Sequence, residues 1–305
     1  MKNLIVICGP TASGKTDVAI HLATELNCDI VNADSRQVYA EMNIGTAKPT
    51  DEQLQQVKHH LISSRSIFQG YSAGEFMTDA KSKIDELFID MSFVVLVGGS
   101  GLYIKAITEG LDIFPEVDPE IREELNRAFA EEGIEYLQNL LKQKDPAYFA
   151  EVDLDNPRRL IRALEVYITS GKPYSHFLAQ NAVKPDYNVV KIGIETDRNV
   201  LYDQINSRVN EMIEMGLVHE AKDLLEHKEI NALQTVGYQE LFDYLDGEIE
   251  LEEAIDKIKQ NSRRYAKRQM TWFRKDEEIE WFERSATDEI VKFIKKKTGN
   301  EQTNP

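Results

Sequence analysis

Short, wholly apolar runs alternate with stretches of helical period over the first hundred or so residues. Leu4-Ile5-Val6-Ile7-Cys8 carries no polar position, the pattern of a strand buried on both faces. Asp17 to Leu26 follows with apolar residues at helical spacing, and Asp29-Ile30-Val31-Asn32 reads as a second strand. A loop through Gly45-Thr46-Ala47-Lys48-Pro49 leads to a helix start at Thr50-Asp51-Glu52. Gly74 to Met91 is helical in period, Phe93-Val94-Val95-Leu96-Val97 is a third buried strand, and Leu102 to Thr108 a further helix. Strands alternating with helices predict an α/β fold: a three-layer core around a parallel sheet.

The pattern changes after Leu111. From Asp118 to Gln180 the periods are helical, with polar joints and no strand. Strand character returns at Val189-Val190-Lys191-Ile192-Gly193-Ile194, helices dominate from Asn199, and Ile279-Glu280-Trp281-Phe282 is a candidate last strand. Breaks at Phe114-Pro115 and Lys184-Pro185 predict a core domain of residues 1–113 and 185–305, with a helical C-terminal part, and a helical insertion of residues 114–184.

Between the first strand and the first helix stands Gly9-Pro10-Thr11-Ala12-Ser13-Gly14-Lys15-Thr16, a complete G-x-x-x-x-G-K-[ST] phosphate loop in its required setting. Its backbone N–H groups and the helix N-terminus form a cradle for a di- or triphosphate. Lys15 adds a positive charge, and the Thr16 hydroxyl is placed to ligate Mg²⁺. The third strand ends Val97-Gly98-Gly99 without the acid of an ordinary ATPase, which raises the importance of Asp34 after the second strand. An acid there can act as a general base, hold Mg²⁺ through water, or cap a turn.

With 305 residues the chain can bury a proper core, and no apolar run is long enough to span a membrane. The first strand begins within three residues of Met1, which predicts no signal peptide. The two cysteines, Cys8 and Cys28, fit buried thiols in a reducing compartment, so a cytoplasmic enzyme is expected. A net charge of −17 argues against indiscriminate nucleic-acid binding. Yet Lys257 to Lys275 holds eight Lys or Arg and no acid, either a solvated helix face or a nucleic-acid footprint. Asn156-Pro157 opens a helix on which Arg158, Arg159 and Arg162 cluster, able to bind phosphate or to pair with acids. His59-His60 reads as turn or core residues, not metal ligands. Trp272 and Phe273 suit a helix-end core pair, or base stacking.

Taken in order, these strings resemble the tRNA dimethylallyltransferase (tRNA isopentenyltransferase) family. The likeness runs through the phosphate loop, Asp34-Ser35-Arg36-Gln37-Val38-Tyr39, Ile44 to Pro49, His59-His60-Leu61 and Val97 to Tyr103. It continues through Arg162 to Tyr167, Val236-Gly237-Tyr238 and Tyr265 to Arg274, nearly the whole chain. The resemblance implies a P-loop NTPase-like core and transfer of a dimethylallyl group from its diphosphate to N6 of the adenosine 3′ of a tRNA anticodon, with Mg²⁺. It implies that Gly9 to Thr16 hold the diphosphate, that Lys15, Thr16 and Arg208 stabilise its charge, and that Asp34 is the base. Asp34, Ser35, Arg36, Gln37, Ser100 and Arg122 would line the approach of a flipped base. Arg158, Arg159, Leu160, Ile161 and Arg162 would grip the anticodon loop with Gln234, Thr235, Val236, Gly237, Tyr238 and Gln239, the insertion closing over it. Ser100 stands where Thr is more usual, Asn210 where Asp is common, and Ser63 where an acid often follows His-His-Leu. Gln234, Thr235 and Gln239 stand where some members have arginines. No zinc-finger tail follows, as in the bacterial type. A P-loop small-molecule or nucleotide kinase, with the insertion's arginines as a lid, is the alternative; an RNA-binding module with the loop as a nucleotide switch is another.

Overall fold

Six strands form one parallel sheet: β1 (Asn3–Cys8), β2 (Ile30–Asn32), β3 (His59–His60), β4 (Phe93–Gly98), β5 (Asn188–Glu195) and β6 (Glu280–Glu283), in the order β3-β2-β4-β1-β5-β6. The structure is a computed structural model, and it describes residues 1–178 and 185–299. The predicted end of the insertion helices at Gln180 and the break at Lys184 lie outside those residues.

Both sheet faces are covered, as the unbroken apolar strands require. On one face Leu4, Val6, Val31 and Leu96 pack against α3 (Ala73–Asp90) and α4 (Gly101–Thr108). On the other Ile5, Ile7, Ile30, Val95 and Ile192 pack against α1 (Lys15–Leu26) and α13 (Thr287–Thr298). α2 (Asp51–Gln56) starts where the sequence predicts, in a capping box between Thr50 and Gln53. The reading of His59–His60 as turn or core residues misses a short strand. Two residues are too few to show a period, and only pairing of Ile30 with His59 and Val31 with His60 makes them a strand. His60 Nε2 then lies 2.8 Å from Asp29 Oδ2, a partner supplied by that pairing.

A helical layer follows β5: α9 (Arg198–Glu214), α10 (Leu217–Asp223), α11 (Tyr238–Leu245) and α12 (Leu251–Phe273). It packs its own apolar core, including Leu217, Leu233, Leu241 and Ala254, onto Val38, Tyr39 and Met42. The buried Phe273 closes the end of α12 into the sheet core, whereas its neighbour Trp272 is 43% exposed.

The chain divides into two compact units, Met1–Thr108 with Pro185–Pro305, and Glu109–Lys184. The division falls a few residues before Phe114. The second unit holds α5 (Pro119–Glu132), α6 (Ile134–Lys144), α7 (Pro146–Phe149) and α8 (Pro157–Ser170) around Leu125, Leu137, Leu141, Leu160 and Leu164. Asn156 caps α8, its side chain accepting from Arg159 N at 3.3 Å, with Pro157 in the first turn.

Candidate active site

Gly9 to Thr16 turn the chain from β1 into α1 at the carboxyl edge of the sheet, where open α/β folds place their ligands. Gly14 takes φ 80° at the helix N-cap, a conformation glycine adopts freely, and no side chain caps the helix. The first N–H groups of α1 are therefore left for an anion. The Lys15 ammonium donates to Pro10 O at 3.1 Å. Desolvation lowers its pKa to about 8, opposed by Asp34 and reinforced by Arg208. The Ser13 hydroxyl is buried and has no partner among the described residues. Arg284 reaches over Gly14 and pairs with Asp17 at 2.6 Å.

The loop forms one wall of a cavity of about 270 Å³ that Lys15, Thr16, Asp34 and Arg208 all line. The four side chains assigned to catalysis from the sequence thus converge from three separate segments. The Arg208 guanidinium makes no hydrogen bond among the described residues, and burial lowers its pKa. Two desolvated cations in one cavity disfavour each other and favour an anion between them.

Asp34 takes up one of the roles open to it, the turn cap, at the edge of the cavity. Its Oδ1 accepts from Arg36 N at 2.8 Å and Gln37 N at 3.2 Å, a turn cap, while the carboxylate borders the cavity. Ser35, Arg36 and Gln37 border it too, as do Thr235, Val236 and Gly237. Ser100 Oγ accepts from Ser35 N at 3.0 Å and so anchors the segment after β2. Gln37 Nε2 donates to Thr46 O and Ala47 O at 3.1 and 3.0 Å, fastening the Gly45–Pro49 loop.

Other expected RNA contacts are spent differently. Tyr238 is fully buried and donates to Glu220 Oε1 at 2.7 Å, so its side chain belongs to the core of the helical layer. Leu160 and Ile161, 0% and 5% exposed, are core residues of the second unit, because α8 turns that stripe inward; neither side chain can grip RNA. Gln234 donates to Lys228 O at 2.6 Å and accepts from Gln239 at 2.7 Å, a local pair at the head of α11.

Arg122 and Arg162 meet within the second unit on one buried carboxylate, Glu165. Arg122 donates at 2.8 and 2.7 Å and Arg162 at 2.5 Å. Their outer faces remain accessible, the side chains being 56% and 37% exposed. Arg158 and Arg159 are exposed. Of the basic run along and just past α12, Lys257 pairs with Glu253 and Arg274 with Glu195. Arg264, Lys267, Arg268 and Lys275 line a surface groove with Thr271 and Trp272.

Three supporting residues escaped the sequence reading. Gln269, 6% exposed, accepts from Thr11 N at 2.8 Å and donates to Gly99 O at 2.9 Å, tying α12 to the phosphate loop. Glu220 accepts the consecutive N–H groups of Asn43, Ile44 and Gly45 at 3.0, 2.8 and 2.9 Å. Lys48 donates to Tyr39 O, Asn43 Oδ1 and Ser63 Oγ at 2.6, 2.9 and 2.7 Å. Gln269 sits inside the Tyr265–Arg274 string and Lys48 inside the Ile44–Pro49 string; nothing local marks Glu220.

A family model described as IPP transferase matches residues 37–276. A tRNA dimethylallyltransferase of Christiangramia forsetii is 54% identical over 280 residues, covering 92% of this chain and 93% of the relative. The chain belongs to the IPP transferase family.

A tRNA dimethylallyltransferase of Flavobacterium johnsoniae is 48% identical, covering 96% of this IPP transferase-family chain and 97% of its own. The solved tRNA isopentenylpyrophosphate transferase of Bacillus halodurans aligns with TM-score 0.74 at 39% identity, covering 98% of both chains. A eukaryotic dimethylallyltransferase acting on tRNA shares the fold with TM-score 0.84 at 22% identity, over 100% of this chain and 81% of that one. The core is therefore P-loop NTPase-like, as the sequence predicts. No helix among the described residues is long and apolar enough to cross a membrane.

Proposed function

We infer that this chain is a tRNA dimethylallyltransferase, moving the dimethylallyl group of dimethylallyl diphosphate onto N6 of the adenosine 3′-adjacent to the anticodon (position 37) and releasing diphosphate. The observation that carries the reading is one cavity shared by a phosphate cradle, two desolvated cations and a carboxylate, in a chain of this family. A kinase would use the same cradle, but the end of β4 offers no acid for the usual metal-water contact, and the family favours prenyl transfer.

The amine attacks C1 of the dimethylallyl group as the bond from C1 to the diphosphate oxygen breaks. That electron pair leaves with the diphosphate, whose charge Lys15, Arg208 and the loop N–H groups balance. N6 becomes cationic on attack, and Asp34 takes its proton. Oδ1 is held by two N–H groups, so the second oxygen is the one available to the amine. The target base reaches the cavity only when flipped from its stack. Ser35, Arg36 and Gln37, which border the cavity, would contact its surroundings, with Ser100 anchoring Ser35, and the exposed faces of Arg122, Arg158, Arg159 and Arg162 suit anticodon-loop phosphates. We place the activity in the cytoplasm, where its RNA substrate is found.

Mg²⁺ fits the residues present. No cluster of three His, Cys, Asp or Glu exists among the described residues, so the cation's ligands would be Thr16 Oγ1, diphosphate oxygens and water. Bound there, it would supply charge neutralisation on the leaving group.

The test is incubation of the protein with Mg²⁺, dimethylallyl diphosphate and unmodified tRNA, followed by nucleoside mass spectrometry. A dimethylallyl mass on adenosine, lost in Asp34→Ala, is expected. Its absence, together with phosphate transfer from ATP to a small acceptor, would install the kinase.

A further inference from the structure

Two polar groups at the floor of the cavity are left without partners. Ile30 pairs with His59 and Asn32 with Val97, so Asn32 and His59 project from the same sheet face, the one covered by α1. Both line the cavity beside Thr16 and Asp34. Asn32 is 5% exposed and its Nδ2 has no hydrogen-bond partner among the described residues; the buried Nε2 of His59 has none there either. His59 Nδ1 lies 2.8 Å from Val57 O, and a carbonyl can only accept, so Nδ1 carries the proton and Nε2 offers a lone pair. One orphan is a donor and the other an acceptor. Leaving both unsatisfied is unfavourable, and a polar group from outside the chain can complete them.

We propose that Asn32 and His59 are the outer contacts of a hydrated divalent cation bound at Thr16 with the donor diphosphate. A water taken up here accepts from Asn32 Nδ2 and donates to His59 Nε2. Its second lone pair is left for a hydrogen of the cation's own water, a strong donor. The pair orients the hydration shell without touching the metal, and so acts as a positioning pair. Apolar residues on neighbouring strands would leave that shell against dry wall. The proposal rests on the reading of Thr16 as a cation ligand.

The experiment is Mn²⁺ electron paramagnetic resonance on the full chain with inorganic diphosphate, reading the protein-bound ion. Wild type, Thr16→Ala, His59→Phe and His59→Gln are compared, with thermal melts to establish folding. The expected result is loss of the bound signal in Thr16→Ala and about tenfold weaker Mn²⁺ binding in His59→Phe. His59→Gln, which keeps an acceptor, stays within about twofold of wild type. Asn32→Leu is the second arm and should weaken Mn²⁺ binding in the same direction. Undiminished binding in folded His59→Phe and Asn32→Leu, with Thr16→Ala still defective, overturns this inference alone. Equal binding in wild type and Thr16→Ala overturns the reading of the cation site beneath it.

Discussion

Burial lowers the Lys15 pKa to about 8, with Asp34 opposing the shift and Arg208 reinforcing it. A diphosphate binds the charged form, so complex formation takes up a proton once the pH exceeds about 8. Diphosphate affinity is therefore expected to fall above that pH with a slope approaching one proton. Isothermal titration in two buffers of different ionisation enthalpy measures both quantities; a flat profile to pH 9.5 would contradict it. The same depression has a stability sign. Between about 8 and 10.5 the unfolded Lys15 binds a proton that the folded one does not, so its contribution to stability rises with pH through that window. Lys48 also falls to about 8, from burial, with Glu220 and Glu41 opposing. Its third ligand is the neutral hydroxyl of Ser63. Ser63 has φ 47°, a conformation Asp tolerates well. Ser63→Asp is expected to raise the Lys48 pKa and add about 0.5–1 kcal/mol, read as an upward shift in the melting midpoint.

Single contacts between elements decide how firmly the cavity is built. Gln269 makes α12 a brace for the phosphate loop. Gln269→Leu would strand Thr11 N–H and Gly99 C=O, at a cost of about 1–3 kcal/mol in a denaturant titration. The donor KM should rise more than the tRNA KM, since the loop holds the diphosphate; equal shifts would argue for general destabilisation. In the second unit the asymmetry of burial sets the outcome. Glu165 is 0% exposed while its arginines reach solvent. Removing both arginines leaves a naked buried carboxylate, whereas Glu165→Gln leaves guanidiniums that water can solvate. The double variant Arg122→Ala/Arg162→Ala is thus expected to unfold that unit at lower urea than Glu165→Gln, a comparison circular dichroism can make. The motif strings showed that Arg162 and Glu165 sit three apart on one helix. That Arg122 joins them needed α5 packed on α8. The two-residue strand β3 was illegible for a related reason, since its order comes from β2 and not from any period of its own.

Over the whole molecule, a net charge of −17 and a basic groove on α12 pull in opposite directions on RNA. Binding must depend on local contacts with phosphates, which release counterions and weaken with salt. The tRNA KM is expected to rise steeply between 50 and 200 mM salt, roughly following that law. Neutralising Lys267, Arg268 and Lys275 should flatten the slope by close to their number of phosphate contacts without changing donor KM; an unchanged slope would remove the groove from the interface. The layered core and the chemistry of the phosphate loop were determined by the sequence alone, because both depend on local order: apolar runs long enough to bury on two faces, and a glycine-rich turn that shapes its own backbone. The motif strings also carried the family, since eight of them keep their order along the chain. Which candidates meet was decided only in three dimensions. Asp34 and Arg208 are far apart in sequence and share a cavity, while Leu160 and Ile161 sit inside a motif and are core. Burial, pairing and the desolvation that depresses Lys15 are properties of neighbours, and neighbours distant in sequence exist only once the chain has folded.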